Sequence, residues 1–109
     1  MANGVTIAPA IEALADPTRR AIVEALRAGP SPVGALAGPL PVSRPAVSQH
    51  LRVLTDAGLV EVTPKGTRRY YRLAPGGVDE LRRYLDELWN DALAAFARAA
   101  EAEARKRKD

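Results

Sequence analysis

The chain has 109 residues, of which 47% are hydrophobic and 27% charged, a globular composition of a length that allows one domain. It contains no cysteine, which excludes disulfides, thiolate metal sites and cysteine nucleophiles together. The net charge of +3 is unevenly spread: residues 1–40 are neutral, residues 41–75 carry +4 and residues 76–109 carry −1. A basic middle third points to a polyanionic partner, although a solvated basic face would carry the same charge.

The opening run MANGVTIAPA lacks the basic start and long apolar stretch of a signal peptide. The uncharged stretch 28–43 is broken by Pro30, Pro32, Pro39 and Pro41, so it is no membrane span. A soluble, cytoplasmic protein without membrane contact is expected.

Ile7, Ile11 and Leu14 recur at helical spacing and predict a short amphipathic helix over 5–15. Asp16-Pro17 then restarts a helix, with Asp16 as N-cap and Pro17 at the first helical position. Ile22, Val23 and Leu26 form its buried face, and Gly29 closes it. Ser31-Pro32 predicts another cap-plus-proline start, opening a short helix through Val33 and Leu36. The run Gly38-Pro39-Leu40-Pro41 predicts a turn.

Ser43 reads as the N-cap of the next helix, which tolerates Pro45 in its first turn and ends at Gly58. Val47, Leu51 and Leu54 form its inward stripe, which leaves Pro45, Gln49, Arg52 and Asp56 opposite, with Ser48 flanking them. The period then changes: Val60 and Val62 alternate with Glu61, residues 63–67 read as a turn, and Arg68–Leu73 as a second strand. Arg68, Tyr70 and Arg72 share one face of that strand, and Arg69, Tyr71 and Leu73 the other.

The last helix starts near Gly77. It carries Leu81, Tyr84, Leu85, Leu88, Trp89, Ala92, Leu93 and Phe96 along one side, a stripe longer than a small three-helix core can cover. The predicted destination of Leu85, Leu88, Trp89, Leu93 and Phe96, with Ile7 and Ile11, is a second copy of the chain. Residues 101–109 form a charged tail.

The predicted fold is mainly α with a small β-hairpin: a helix-turn-helix over 31–57, a basic wing over 59–74, and dimerisation helices over 5–15 and 77–100 within one domain, 1–109. A helix offering Arg and Gln fits the major groove of duplex DNA, whose guanine and adenine edges match their forked groups. The wing adds cations for phosphate. The candidate DNA-facing residues are Ser43, Arg44, Pro45, Ala46, Ser48, Gln49, His50 and Arg52, with Lys65, Thr67, Arg68, Arg69 and Arg72 from the wing.

The runs LADPTRRAIVEAL (14–26), SRPAVSQHLRVLTDAGLVE (43–61) and GTRRYYRL (66–73) resemble the ArsR family of winged-helix transcription regulators, from about Ile11 to Phe96. The resemblance implies a homodimer built from the first and last helices, recognition helices in successive major grooves, and an inverted-repeat operator in double-stranded DNA. It also exposes a departure. Many members sense metals through a cysteine pair in the short helix or through His and acidic ligands on the last helix. Here Val33–Leu40 holds no ligand and the last helix no histidine. The chain is thus similar to the cysteine-free, SdpR-like branch, with no cofactor expected. Its signal is left open among a separate sensor protein, a small-molecule effector and plain autoregulation.

His50, the sole histidine, reads as a phosphate contact or packing at the helix flank, since a metal site needs several convergent donors. Trp89 reads as interface packing. Tyr70 and Tyr71 read as strand pairing more than as stacking platforms for single strands. No catalytic grouping appears, so no enzyme is expected. A repressor is the leading reading. An activator or co-regulator beside a sensor, and a winged-helix module that has lost DNA binding, stay open.

Overall fold

The computed structural model describes residues 3–108, with side chains from Ile7 to Arg107; Met1, Ala2 and the tail residue Asp109 lie outside the described residues. The elements run α1 (Asn3–Leu14), α2 (Pro17–Leu26), β1 (Ser31–Pro32), α3 (Val33–Ala37), α4 (Arg44–Asp56), β2 (Val60–Lys65), β3 (Arg68–Leu73) and α5 (Pro75–Lys108). The chain is mainly helical with a small antiparallel sheet, the winged helix-turn-helix architecture expected.

Local chemistry sets the helix starts. The Asp16 carboxylate accepts from the amides of Thr18 (2.7 Å) and Arg19 (3.3 Å), satisfying two donors that the first turn of α2 leaves free. Ser43 Oγ accepts from the Ala46 amide at 3.2 Å and does the same for α4. Gly58, at φ +82°, ends α4 in a conformation that a side chain disfavours.

The core gathers one stripe from each helix. Ile22 of α2 and Val47, Leu51 and Leu54 of α4 are fully buried, joined by Ala10, Ala13, Leu26, Leu36, Leu59 and Val60. Truncating Leu51 to Ala would cost about 2–5 kcal/mol. Tyr71, Leu73 and Leu81 pack against this core and fix the wing and the start of α5 to it.

Three expectations need correction. Ser31 is not a helix cap: Ser31 and Pro32 form the short strand β1, paired with Tyr71 and Tyr70, and Pro32 precedes α3 without a side-chain cap. The sheet therefore has three strands in the order β1-β3-β2. The turn of the wing is also tighter than 63–67. Thr63, Pro64 and Lys65 stay in β2, opposite Tyr70, Arg69 and Arg68, and only Gly66 and Thr67 turn, with Gly66 at φ +65°. Pro64 is tolerated because β2 is an edge strand. Finally, the last helix begins at Pro75, two residues before the expected start near Gly77; the charged segment continues it to Lys108.

At 1.5 Å per residue α5 is about 50 Å long, and it gives the molecule its 73 Å long axis. α1 lies against it. Beyond Leu81, α5 is exposed throughout its described side chains. Leu88 is 54% exposed, Trp89 65% and Phe96 73%, with Leu85 and Leu93 close to half. Ile11 of α1 is also exposed, whereas Ile7 is half-buried. Among the described residues no helix is long and apolar enough to cross a membrane.

Candidate nucleic-acid interface

Helix α4 divides its faces cleanly. Its inward stripe is sealed in the core, and the opposite side opens onto the wing. Pro45, Ser48, Gln49, Arg52, Thr55 and Asp56 line an open depression of about 690 Å³ whose far wall is Val62, Arg69 and Tyr71. A second depression, of about 640 Å³, lies between α4, α3 and the wing tip. Arg44, Arg68, Arg69, Ser48 and Thr67 give it its polar lining, and Pro32, Val33, Gly34 and Ala35 its floor. Ser48, Arg69 and Tyr71 border both.

Pairing in the hairpin decides which wing residues share in this surface. Val62, Arg69 and Tyr71 belong to one face, the one turned to α4, because Val62 pairs with Tyr71 and Pro64 with Arg69. Glu61, Thr63, Lys65, Arg68, Tyr70 and Arg72 alternate onto the other. Arg68 still lines the second depression because it stands at the tip.

The candidate residues therefore fall into groups. Pro45, Ser48, Gln49, Arg52 and Arg69 come together in the first depression. Arg44, Thr67 and Arg68 join Ser48 and Arg69 in the second, where Arg44 lies over Gly34: a Cβ there would be 3.5 Å from its Nη2. Ser43 is spent on its cap. Ala46, Lys65 and Arg72 line neither depression. Lys65 Nζ lies 5.9 Å from the centre of the Tyr70 ring, and Arg72 forms an ion pair with Glu61 across the strands. His50 is turned towards α2, where its Nδ1 is 3.3 Å from Arg19 Nη1.

Sequence reasoning missed the roles of Tyr71 and Gly34 in walling these depressions. The alternation of Arg69 and Tyr71 was the available signal for Tyr71. Nothing local marks Gly34. Thr55 faces the depression, but its hydroxyl donates back to the Leu51 carbonyl at 2.7 Å. Among the described residues no group of three His, Cys, Asp or Glu side chains converges.

A family profile described as a helix-turn-helix domain matches residues 14–63. The HTH-type transcriptional regulator Rv2034 of Mycobacterium tuberculosis is 58% identical over 92 residues, covering 84% of this chain and 86% of that protein. The chain belongs to the ArsR family of winged helix-turn-helix transcriptional regulators. The transcriptional repressor SdpR of Bacillus subtilis is 37% identical over 62 residues, 57% of this chain and 69% of its own length. Among solved structures, the homodimeric winged helix-turn-helix DNA-binding domain of Mb0332 from Mycobacterium bovis, described as a possible ArsR-family regulator, matches with a TM-score of 0.65. It is 32% identical, over 81% of this chain and 82% of that one. The helix-turn-helix match spans α2 to α4 and the start of β2, which supply the α4 side of the first depression and Val62, while Arg69 and Tyr71 of β3 lie beyond it.

Proposed function

We propose that the protein represses transcription by binding an inverted-repeat operator in double-stranded DNA as a homodimer. The observation that carries this reading is the division of α4: three of its side chains are sealed in the core, while Pro45, Ser48, Gln49 and Arg52 face one opening that Arg69 completes. Laid in a major groove, Arg52 presents a donor fork to guanine, and the Gln49 amide matches the edge of adenine. Arg44, Arg68 and Arg69 meet flanking phosphates, with Thr67 at the wing tip. Ser43 and Ala46 contribute by fixing the start of α4. Lys65 and Arg72 act as outer cations of the wing, the latter weakened by Glu61.

The homodimer is supported by the uncovered row on α5, by the exposed Ile11 on α1, the helix that packs against α5, and by the homodimeric relative. A two-fold axis then sets two recognition helices about 34 Å apart, hence half-sites about one helical turn apart. Repression is supported by the likeness to SdpR, a transcriptional repressor. We read the chain as non-catalytic, at work in the cytoplasm, and governed by a signal other than a thiolate-bound metal, since it has no cysteine.

Arg52→Ala and Gln49→Ala test the base-reading role. Each is expected to lose about 1–3 kcal/mol of discrimination between a selected duplex and a scrambled one. Variants that rank a panel of duplexes as the wild type does would remove α4 from the groove.

A further inference from the structure

Arg19 reaches three elements at once. It lies in the first turn of α2, and its Nε donates to the Ala13 carbonyl of α1 at 2.7 Å. Its Nη1 lies 3.8 Å from Asp16 Oδ2 and 3.3 Å from Nδ1 of His50 on α4. The side chain is only 19% exposed, so water competes weakly for these contacts. A guanidinium donates and never accepts, so the contact with His50 requires a bare Nδ1, with the ring proton on Nε2.

His50 sits between Gln49, which faces the opening, and Leu51, which is fully buried. A force on its ring therefore acts on the rotation of the reading face. The other end of the link is the α1–α2 corner, and α1 packs against α5 and bears the exposed Ile11. We propose that Arg19 is a positioning residue that locks the recognition helix to the dimer-forming helix α1 through an acceptor nitrogen of His50, and that His50 orients α4 and does not bind phosphate. This rests on α4 being the DNA-reading helix.

The charged groups around the ring are few. Arg19 and Asp16 face it from α2 and its cap. Glu12 of α1 and Asp56 of α4 share a shallow groove with Arg19. One turn away on α4, Ala46, Val47, Val53 and Leu54 carry no charge. Protonating His50 removes the acceptor and sets a second cation against the guanidinium. Protonation of the ring therefore opens the lock. A phosphate contact has the opposite sign, because a cationic ring binds phosphate better.

The test measures fluorescence anisotropy of a duplex selected by the wild-type protein from a random pool, at pH 8.0 and pH 5.5 and constant salt. With one histidine in the chain, the profile has few other sources. Wild-type affinity is expected to fall about tenfold in acid, the scale of a lost hydrogen bond to a charged group. His50→Gln, whose amide oxygen accepts at every pH, should match the wild type at pH 8.0 and stay flat. His50→Phe and Arg19→Met should bind weakly and flatly at both. A wild type that tightens or does not change in acid overturns the proposal, as does a slope that survives in His50→Gln. The histidine variants decide the matter even if Arg19→Met fails to fold. If the wild type binds no duplex at either pH in low salt, the DNA-reading assignment itself falls and takes the lock with it. Duplex binding without the expected profile sinks the lock alone.

Discussion

A Cβ placed on Gly77 would lie 1.7 Å from the carbonyl oxygen of Gly58, so the start of α5 rests directly on the backbone that ends α4. Gly58 is itself at φ +82°. The two glycines let a long helix leave the domain without a gap at its root. Gly77→Ala should therefore destabilise the protein by about 3 kcal/mol, as overpacking a closed site does. Gly76→Ala, with nothing within 4 Å of its Cβ, should be neutral or slightly stabilising. Urea unfolding of the pair checks this, and equal midpoints would disprove the contact.

The wing arginines should not behave alike. Arg68→Ala and Arg69→Ala should weaken binding to every duplex similarly and reduce the salt slope by about one each. Arg72 is partly neutralised by Glu61, so Arg72→Ala should cost less than either. Binding isotherms at several salt concentrations give the order. A larger loss for Arg72 than for Arg69 would reverse the assignment of wing faces.

Trp89→Glu places a charge in the middle of the apolar row on α5. If the row closes against its symmetry mate, the variant should sediment as a monomer, or unfold if the dimer is obligate. A folded monomer should lose most of its affinity for a two-half-site operator, although every DNA-facing side chain is intact. A wild type that is monomeric at micromolar concentration would end the two-fold model.

Asp16 links stability to pH. Partial desolvation raises its carboxyl, but the amides of Arg19 and Thr18, the charge of Arg19 and, once its ring is protonated, that of His50 outweigh this and hold it below the usual carboxylate range. A group depressed in the folded state stabilises above its unfolded value, and the contribution is lost as pH falls through the folded one. Asp16→Ala should thus lower the melting temperature at pH 7 and narrow its gap from the wild type towards pH 3. A constant gap over that span would argue against the cap.

Much of this arrangement was legible in the residues. Asp16-Pro17 and Ser43 announce two helix starts because capping is local, within three residues of the cap. The stripe Val47, Leu51, Leu54 names the buried side of α4 and, by subtraction, the side proposed to read DNA. The strand at Ser31–Pro32 was not legible. Its partners Tyr70 and Tyr71 lie far along the chain, and two residues carry no periodicity. Pro64 suggested a turn because proline usually ends a strand, and only its edge position, a tertiary fact, allows it to stay. The same holds for the candidate site. Gln49 and Arg52 could be placed from helical spacing, whereas the pairing of Arg72 with Glu61 and of His50 with Arg19 depends on how elements meet.

The two outer strands of the sheet each contain a proline, Pro32 in β1 and Pro64 in β2, while the arginine-rich β3 runs between them. Proline has no amide hydrogen to offer a newcomer, and β1 is only two residues long. Both margins of the wing are thereby poor templates for another strand. The hairpin can thus stand out in solvent, ready for a polyanion, without recruiting other hairpins into a growing ribbon. The two-fold contact proposed for the helices then meets no competition from the wing.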